Sequence, residues 1–155
     1  MRTSILQINL LLAWLWILLG FVSGMMLGMF FHREGWLGGY GSFKRRMYRL
    51  AHISFFGLGA VNLLFYLTAR NSPSATPLLQ WASVALVVGA LAMPVCCLVM
   101  AHVPKAHLIF AVPVVSLIAG GALTLALVVH DTRAPVAADS MSVSVNYHPL
   151  TIKQP

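Results

Sequence analysis

Histidine, cysteine and methionine are the side chains of this 155-residue chain best suited to ligating a cofactor. Four histidines, His32, His52, His102 and His107, lie near the ends of apolar stretches on one predicted side of a membrane. Imidazoles from facing helices can bind haem axially or hold a transition metal, but histidine is also common at membrane interfaces. The four residues are therefore candidate ligands of haem b. His52 is the best single candidate because it shares a helix face with Asn62.

A group of sulfur-containing side chains occupies one face of the third apolar stretch: Met93, Cys96, Cys97 and Met100. Thiolate and thioether groups suit Cu(I), although cysteine and methionine also commonly pack in apolar cores without any metal. Copper is therefore an alternative cofactor. A disulfide between the adjacent cysteines is not expected in regular helix geometry.

Carboxylates are few, and Glu34, Asp131 and Asp139 all lie outside the apolar stretches. The sequence therefore offers no acid pair, proton relay or catalytic triad within the membrane. One enzymatic alternative remains, in which the glycine-rich cationic connection over residues 32–49 acts on lipid headgroups. Its run of glycines lacks the spacing of a phosphate-binding P-loop.

The elements that would hold these side chains are membrane spans. Hydrophobic residues make up 59% of the chain and charged residues 8%, against roughly a quarter charged in soluble domains. Four apolar stretches, at about 10–31, 50–69, 79–101 and 108–129, each reach the ~20 residues that a spanning helix needs. The chain is therefore predicted to be an all-α integral membrane protein. Residues 1–130 would form a bundle of four transmembrane helices in two hairpins, and residues 131–155 an extramembrane tail.

Within the tail, residues 140–148 alternate in a pattern typical of a strand. A single strand is marginal without a partner, so the tail is expected to be either disordered or ordered by another subunit.

Small residues recur every fourth position in two of the predicted helices. These are Gly20, Gly24 and Gly28 in the first, and Ser116, Gly120 and Thr124 in the fourth. Such stripes allow helices to approach closely in lipid, so both predict helix packing. Asn62, deep in the second span, is expected to bond to another helix.

A proline and two tryptophans give further local predictions. Pro94 lacks an N–H group, so it frees the carbonyl of Ala90 and is expected to kink the third helix. Trp14 and Trp16 stand near the start of the first apolar stretch, where indole rings favour the membrane interface.

Cations set the expected orientation. The first and third connections hold six basic residues and the other side four, and five of the six crowd one loop. The positive-inside rule then places both termini outside the cytoplasm, in an arrangement typical of a bacterial inner membrane protein. The segment from Phe43 to Leu50 is expected to be a short amphipathic turn whose cations contact lipid headgroups: Lys44, Arg45, Arg46 and Arg49. Nucleic acid is not an expected partner, because cations beside spans usually serve orientation.

Many packing stripes and few reactive groups favour a protein that works through other proteins. The sequence therefore predicts an accessory or assembly subunit of a larger membrane complex, such as a redox complex. A haem b or copper protein with ligands on the cytoplasmic side is the alternative, and the lipid-headgroup enzyme is a second one.

Overall fold

The fold is an all-α bundle of four transmembrane helices, as predicted. A computed structural model describes residues 2–72 and 77–145. Its helices are α1 (Arg2–Met29), α2 (Phe43–Arg70), α3 (Pro77–His102) and α4 (Ala111–Val145), with short 3₁₀ segments at Trp36–Gly38 and Pro104–Phe110. All four helices are long and apolar enough to cross a membrane, and the described residues contain no strand.

The helices extend beyond the apolar stretches that predicted them. A helix of 28 residues, such as α1 or α2, is about 42 Å long at ~1.5 Å per residue, against ~30 Å for the hydrocarbon of a bilayer. The predicted amphipathic turn is therefore not a separate element, because it forms the first two turns of α2.

The strand pattern in the tail was a wrong prediction over residues 140–145, which are helical and continue α4. A helix satisfies its backbone groups locally, whereas a strand needs a neighbouring strand. Residues 146–148 lie outside the described residues.

Consecutive helices pack against each other in chain order, and α3 also contacts α1. The connections from α1 to α2 and from α3 to α4 share one side of the bundle, which we call the basic side. The opposite side, where α1 begins and α2 is connected to α3, is called the terminal side. Because α4 packs mainly on α3, the bundle is open between α2 and α4.

Large side chains seated on glycines bring α1 and α2 together. A Cβ atom on Gly20 or Gly24 would lie 2.8 Å from the ring of Phe56 or His52, respectively. Gly59 faces α1 in turn, since a Cβ atom there would lie 3.1 Å from the carbonyl oxygen of Ala13. Gly28 meets nothing within 4 Å among the described residues, so the packing stripe of α1 ends at Gly24. Gly28 lies in the last turn of α1, where the chain diverges from α2 and enters the loop.

The contact between α3 and α4 is reciprocal. Leu117 of α4 covers Gly89, and Leu86 of α3 covers Gly120; a Cβ atom on these glycines would lie 2.6 and 2.7 Å from the leucines. Thr124 donates from Oγ1 to the carbonyl of Gly120 in its own helix at 2.7 Å. Ser116, the third member of the predicted stripe, is half-buried.

Two asparagines are completely buried between the helices. Asn62 donates from Nδ2 to the carbonyl of Leu58 at 2.9 Å within α2, and its Oδ1 has no partner among the described residues. The expected bond from Asn62 to another helix is therefore absent. Asn9 makes the interhelical bond instead, because its Nδ2 donates to Ser83 Oγ on α3.

Trp16 occupies the middle of the bundle and not the interface. Because α1 begins at Arg2, its indole lies well inside the membrane, where it is 7% exposed. Its Nε1 donates to the carbonyl of Ala90 at 3.1 Å. This carbonyl is the one that Pro94 deprives of its helical partner. The indole of α1 therefore satisfies the backbone group that the proline of α3 leaves free.

Candidate functional site

The loop on the basic side is organised around Arg45, which is 2% exposed. Its guanidinium carbon lies 3.8 Å from the ring centroid of Tyr40, 5.6 Å from that of Trp36 and 5.7 Å from that of Phe31. Nη2 also donates to the carbonyl of Phe31 at 3.0 Å. We call this arrangement the arginine cage. It holds the loop against the start of α2 through cation–π contacts and one charged hydrogen bond.

Backbone geometry closes the same loop. Leu37, Gly38 and Gly39 have φ values of 55°, 86° and 90°, a left-handed run in which only the two glycines are free of steric strain. Ser42 then caps α2 by accepting from the backbone N–H of Arg45, and its hydroxyl donates to the carbonyl of Leu37 at 2.6 Å. The strained turn is thus tied to the helix that follows it.

The lipid-contact prediction for the four cations needs one correction. Arg45 is enclosed by aromatic rings and cannot contact headgroups. Arg46 and Arg49 are exposed and Lys44 is half-exposed, so these three are placed for anionic lipid. A helix start with four cations on different faces buries one of them, and the sequence did not indicate which.

Next to the arginine cage is a partly open cavity of 220 Å³, which we call the histidine pocket. Helices α1, α2 and α3 and the loop all contribute to it. Its lining includes Ser23, Met26, Trp36, Tyr48, His52 and Leu98. No charged side chain is among the described residues that line it, and most of its surface is apolar.

His52 is held in the pocket by several contacts. Its Nδ1 lies 2.9 Å from Ser23 Oγ, while Ser23 itself donates to the carbonyl of Gly20 at 3.1 Å. Its ring lies over Gly24 and meets Phe56 edge-on at 5.5 Å. The second ring nitrogen, Nε2, has no hydrogen-bond partner among the described residues.

The four histidines predicted as ligands do not converge. His102 is exposed and its Nε2 lies 3.1 Å from the hydroxyl of Tyr48, while His32 and His107 are exposed on the surface. No three His, Cys, Asp or Glu residues of the described part of the chain are grouped so as to hold a metal. The four histidines therefore lie on the same side of the bundle without forming one site.

The predicted sulfur face is divided between two interfaces. Met93 packs with the core cluster formed by Leu12, Trp16, Leu58 and Ala90, towards α1 and α2. Cys96 instead donates from Sγ to the carbonyl of Ile109 at 3.5 Å, towards α4. Cys97 is a buried free thiol and Met100 is half-buried. Met93 and Cys96 therefore face different neighbouring helices, and copper binding by this face stays a prediction.

A second concave region, the α2–α4 groove, has a volume of 340 Å³. Val61, Leu64 and Thr68 line it from α2, Leu86 from α3, and Gly121 and Leu125 from α4. Thr68 and Val128 also line a smaller cleft, to which Asn71, Asp131 and Thr132 contribute polar side chains. The groove therefore extends from the apolar interior to the surface of the terminal side.

Sequence reasoning missed Asn9, Ser23 and Tyr48. Asn9 lies on the same helical stripe as Trp16 and Gly20, so extending that stripe backwards by two turns would have found it. Ser23 directly precedes Gly24, which belongs to the predicted packing stripe, and its hydroxyl also faces α2. Tyr48 lies among the cations at the start of α2, and no signal in its neighbourhood indicated a bond to His102.

Fold and site together define a four-helix integral membrane protein with an aromatic-caged arginine, a neutral histidine pocket and an open groove. Comparison with known proteins adds no relative, since no family model, curated protein or solved structure matches the chain.

Proposed function

We propose that this chain is an accessory or assembly subunit that binds a transmembrane helix of a different membrane protein in the α2–α4 groove. The observation that carries the proposal is Gly121. A Cβ atom on this glycine would meet nothing within 4 Å among the described residues, although Gly121 lines the groove near the middle of the candidate span Lys105–Thr132.

Most other glycines inside the spans lie against a neighbouring helix. Gly20, Gly24, Gly89 and Gly120 each lie beneath a large side chain, whereas a Cβ atom on Gly57, which does not line the groove, would also meet nothing within 4 Å among the described residues. In lipid, no hydrophobic driving force brings helices together. Helices associate instead through close packing, which small residues allow. Gly121 is the same kind of recess without a side chain from this chain to fill it.

The remainder of the groove suits a helix better than an acyl chain. Leu64 and Leu125 are exposed on its two walls, so large apolar side chains are available to interdigitate with a partner. Its outer end is lined by the polar side chains of Asn71 and Thr132. Each already donates a hydrogen bond to a backbone carbonyl nearby in the chain, but its oxygen can still accept one from a partner, which lipid tails cannot donate. The chain holds only three acidic residues against ten basic ones, so a second copy in the same orientation would supply few countercharges.

A crosslinking experiment tests this proposal. A photo-crosslinking residue in place of Leu125 should form an adduct with one discrete integral membrane protein in native membranes. Gly121→Leu should abolish this adduct while leaving thermal stability unchanged, because the new side chain enters open space. Gly28→Leu is the matched control, since Gly28 also has no neighbour within 4 Å but lies outside the groove. Adducts only with lipid or with a second copy of the chain would overturn the proposal.

The same proposal includes an orientation in a bacterial inner membrane, with the basic side in the cytoplasm. It is supported by the exposed Arg46 and Arg49 on that side. A reporter enzyme that is active only in the periplasm should be active when fused after residue 145, and a reporter that needs the cytoplasm should be silent there. The reverse pattern would place the basic side outside.

The cofactor and enzyme alternatives are less well supported. No second histidine is among the described residues lining the histidine pocket, so two imidazoles are not available there to bind haem axially. The headgroup-acting enzyme would have only three of its four predicted cations free to bind phosphate, because Arg45 is enclosed. A Soret band or stoichiometric copper in the purified protein would revive the cofactor alternative.

A further inference from the structure

We propose that the histidine pocket binds a neutral, ring-bearing membrane lipid with a hydroxyl group, in the chemical class of the quinols. This site lies on the basic side of the bundle, whereas the α2–α4 groove reaches the terminal side, so the two proposals are independent.

Polarity limits the ligand to an uncharged amphiphile. The described lining contains no charged side chain, so a phosphate headgroup would be buried without a counterion. The walls include the rings of Phe30, Trp36 and Phe55, and Phe30 stacks on Trp36 at 5.4 Å. Aromatic walls favour a flat ring, which can stack or meet them edge-on.

The ligand can enter from the lipid. Met26 and Leu98 line the pocket and are 53% and 40% exposed, respectively. An exposed apolar side chain within a transmembrane helix faces acyl chains, so the mouth between α1 and α3 opens to the bilayer. A cavity of 220 Å³ holds a ring-sized head group, and an attached isoprenoid tail would remain among the lipids.

His52 decides which polar group is bound. Ser23 Oγ lies 2.9 Å from Nδ1 of His52, so Nε2 is the ring nitrogen left to bond to a ligand. A ligand hydroxyl can donate to Nε2 in one tautomer of the ring and accept from it in the other, whereas a carbonyl can only accept. The pocket therefore suits a hydroxyl in preference to a carbonyl.

Tyr48 gives the pocket a connection to water on the basic side. Its side chain lines the pocket, and its hydroxyl lies 3.1 Å from Nε2 of the exposed His102. A bound hydroxyl would thus lie near a tyrosine that is one hydrogen bond from the aqueous surface.

The experiment measures binding to the purified full chain in nanodiscs, with empty nanodiscs as the blank. The probe is decylhydroquinone, and decylbenzoquinone and decylbenzene keep its ring and tail but lack the hydroxyl donors. Decylhydroquinone should bind saturably and about tenfold more tightly than either comparison compound, which is the effect of one well-placed hydrogen bond. Equal binding of decylbenzene would mean that the pocket binds apolar rings without a specific hydrogen bond, and tighter binding of the quinone would contradict a ligand that bonds to His52 through a hydroxyl.

Two substitutions separate the role of Nε2 from that of Nδ1. In His52→Asn the amide can still donate to Ser23 but does not reach the ligand, so the protein should fold normally while decylhydroquinone affinity falls about tenfold to that of decylbenzene. His107→Gln, an exposed histidine on the same side, is the control and should bind like the parent. Unchanged affinity in the folded His52→Asn variant would overturn the proposal.

Discussion

Arg45→Met should destabilise the protein more than any other substitution of a basic residue, and the loop over residues 30–42 should become sensitive to protease. The variant loses contacts with three aromatic rings and a charged hydrogen bond to the carbonyl of Phe31. These contributions sum to roughly 4–6 kcal/mol, from about 1 kcal/mol per cation–π contact and about 1.5–3 kcal/mol for the bond. Relief of the cost of burying a cation offsets part of that sum. We expect a net loss of about 2–3 kcal/mol in the free energy of unfolding in detergent.

Two further variants locate the effect in the arginine cage. Arg46→Met removes the neighbouring cation, which is exposed, and should change the free energy of unfolding by less than about 0.5 kcal/mol. Arg45→Lys keeps the charge but replaces the planar guanidinium with an ammonium group, so its stability should lie between those of the parent and Arg45→Met. If Arg45→Met were as stable as Arg46→Met, the cage would make no net contribution.

The transmembrane helices were predictable because a spanning helix needs only a long apolar run, which is a local property of the sequence. The inward face of α2 was predictable for a similar reason. His52, Gly59 and Asn62 share an arc fixed by the helical period, and all three are partly or fully buried. Periodicity therefore specified which face is covered.

Periodicity did not specify which side chain on another helix meets that face. Asn62 was expected to bond across helices, yet its Nδ2 is used within α2, and Asn9 forms the interhelical bond with Ser83. Arg45 resembled its neighbours in sequence and differs because three rings of the preceding loop enclose it. The asparagine contacts depend on the rotation and depth of two helices relative to each other, and the arginine contacts depend on the path of the loop between α1 and α2. No local pattern encodes either.

The start of α1 had the largest consequence of this kind. Residues 2–9 include Arg2, Thr3, Ser4, Gln7 and Asn9, so hydropathy placed the first span at residue 10. In the structure α1 includes them, and the additional two turns shift Trp16 from the expected interface to the core. In this position the indole of Trp16 donates to the carbonyl of Ala90, which Pro94 leaves without its helical partner.

Trp16→Phe should therefore destabilise the protein, and Pro94→Ala should reduce that effect. The phenylalanine variant keeps an aromatic ring but loses the Nε1–H group, which leaves the carbonyl of Ala90 buried without a donor. A lost bond of this kind should cost about 1–2 kcal/mol in the free energy of unfolding. With alanine at position 94, a backbone N–H becomes available to the same carbonyl, and the cost of Trp16→Phe should fall by about 1 kcal/mol.

The measurement is a double-mutant cycle on the free energy of unfolding of the parent, the two single variants and the double variant. Trp14→Phe is the matched control, because its indole is 62% exposed on the same helix and should show no coupling to position 94. Equal costs of Trp16→Phe in the proline and alanine backgrounds would mean that the indole contributes through packing alone. A coupling confined to Trp16 would instead show that α1 supplies the hydrogen bond that α3 gives up at Pro94, since only a donor to the Ala90 carbonyl is shared by the two positions.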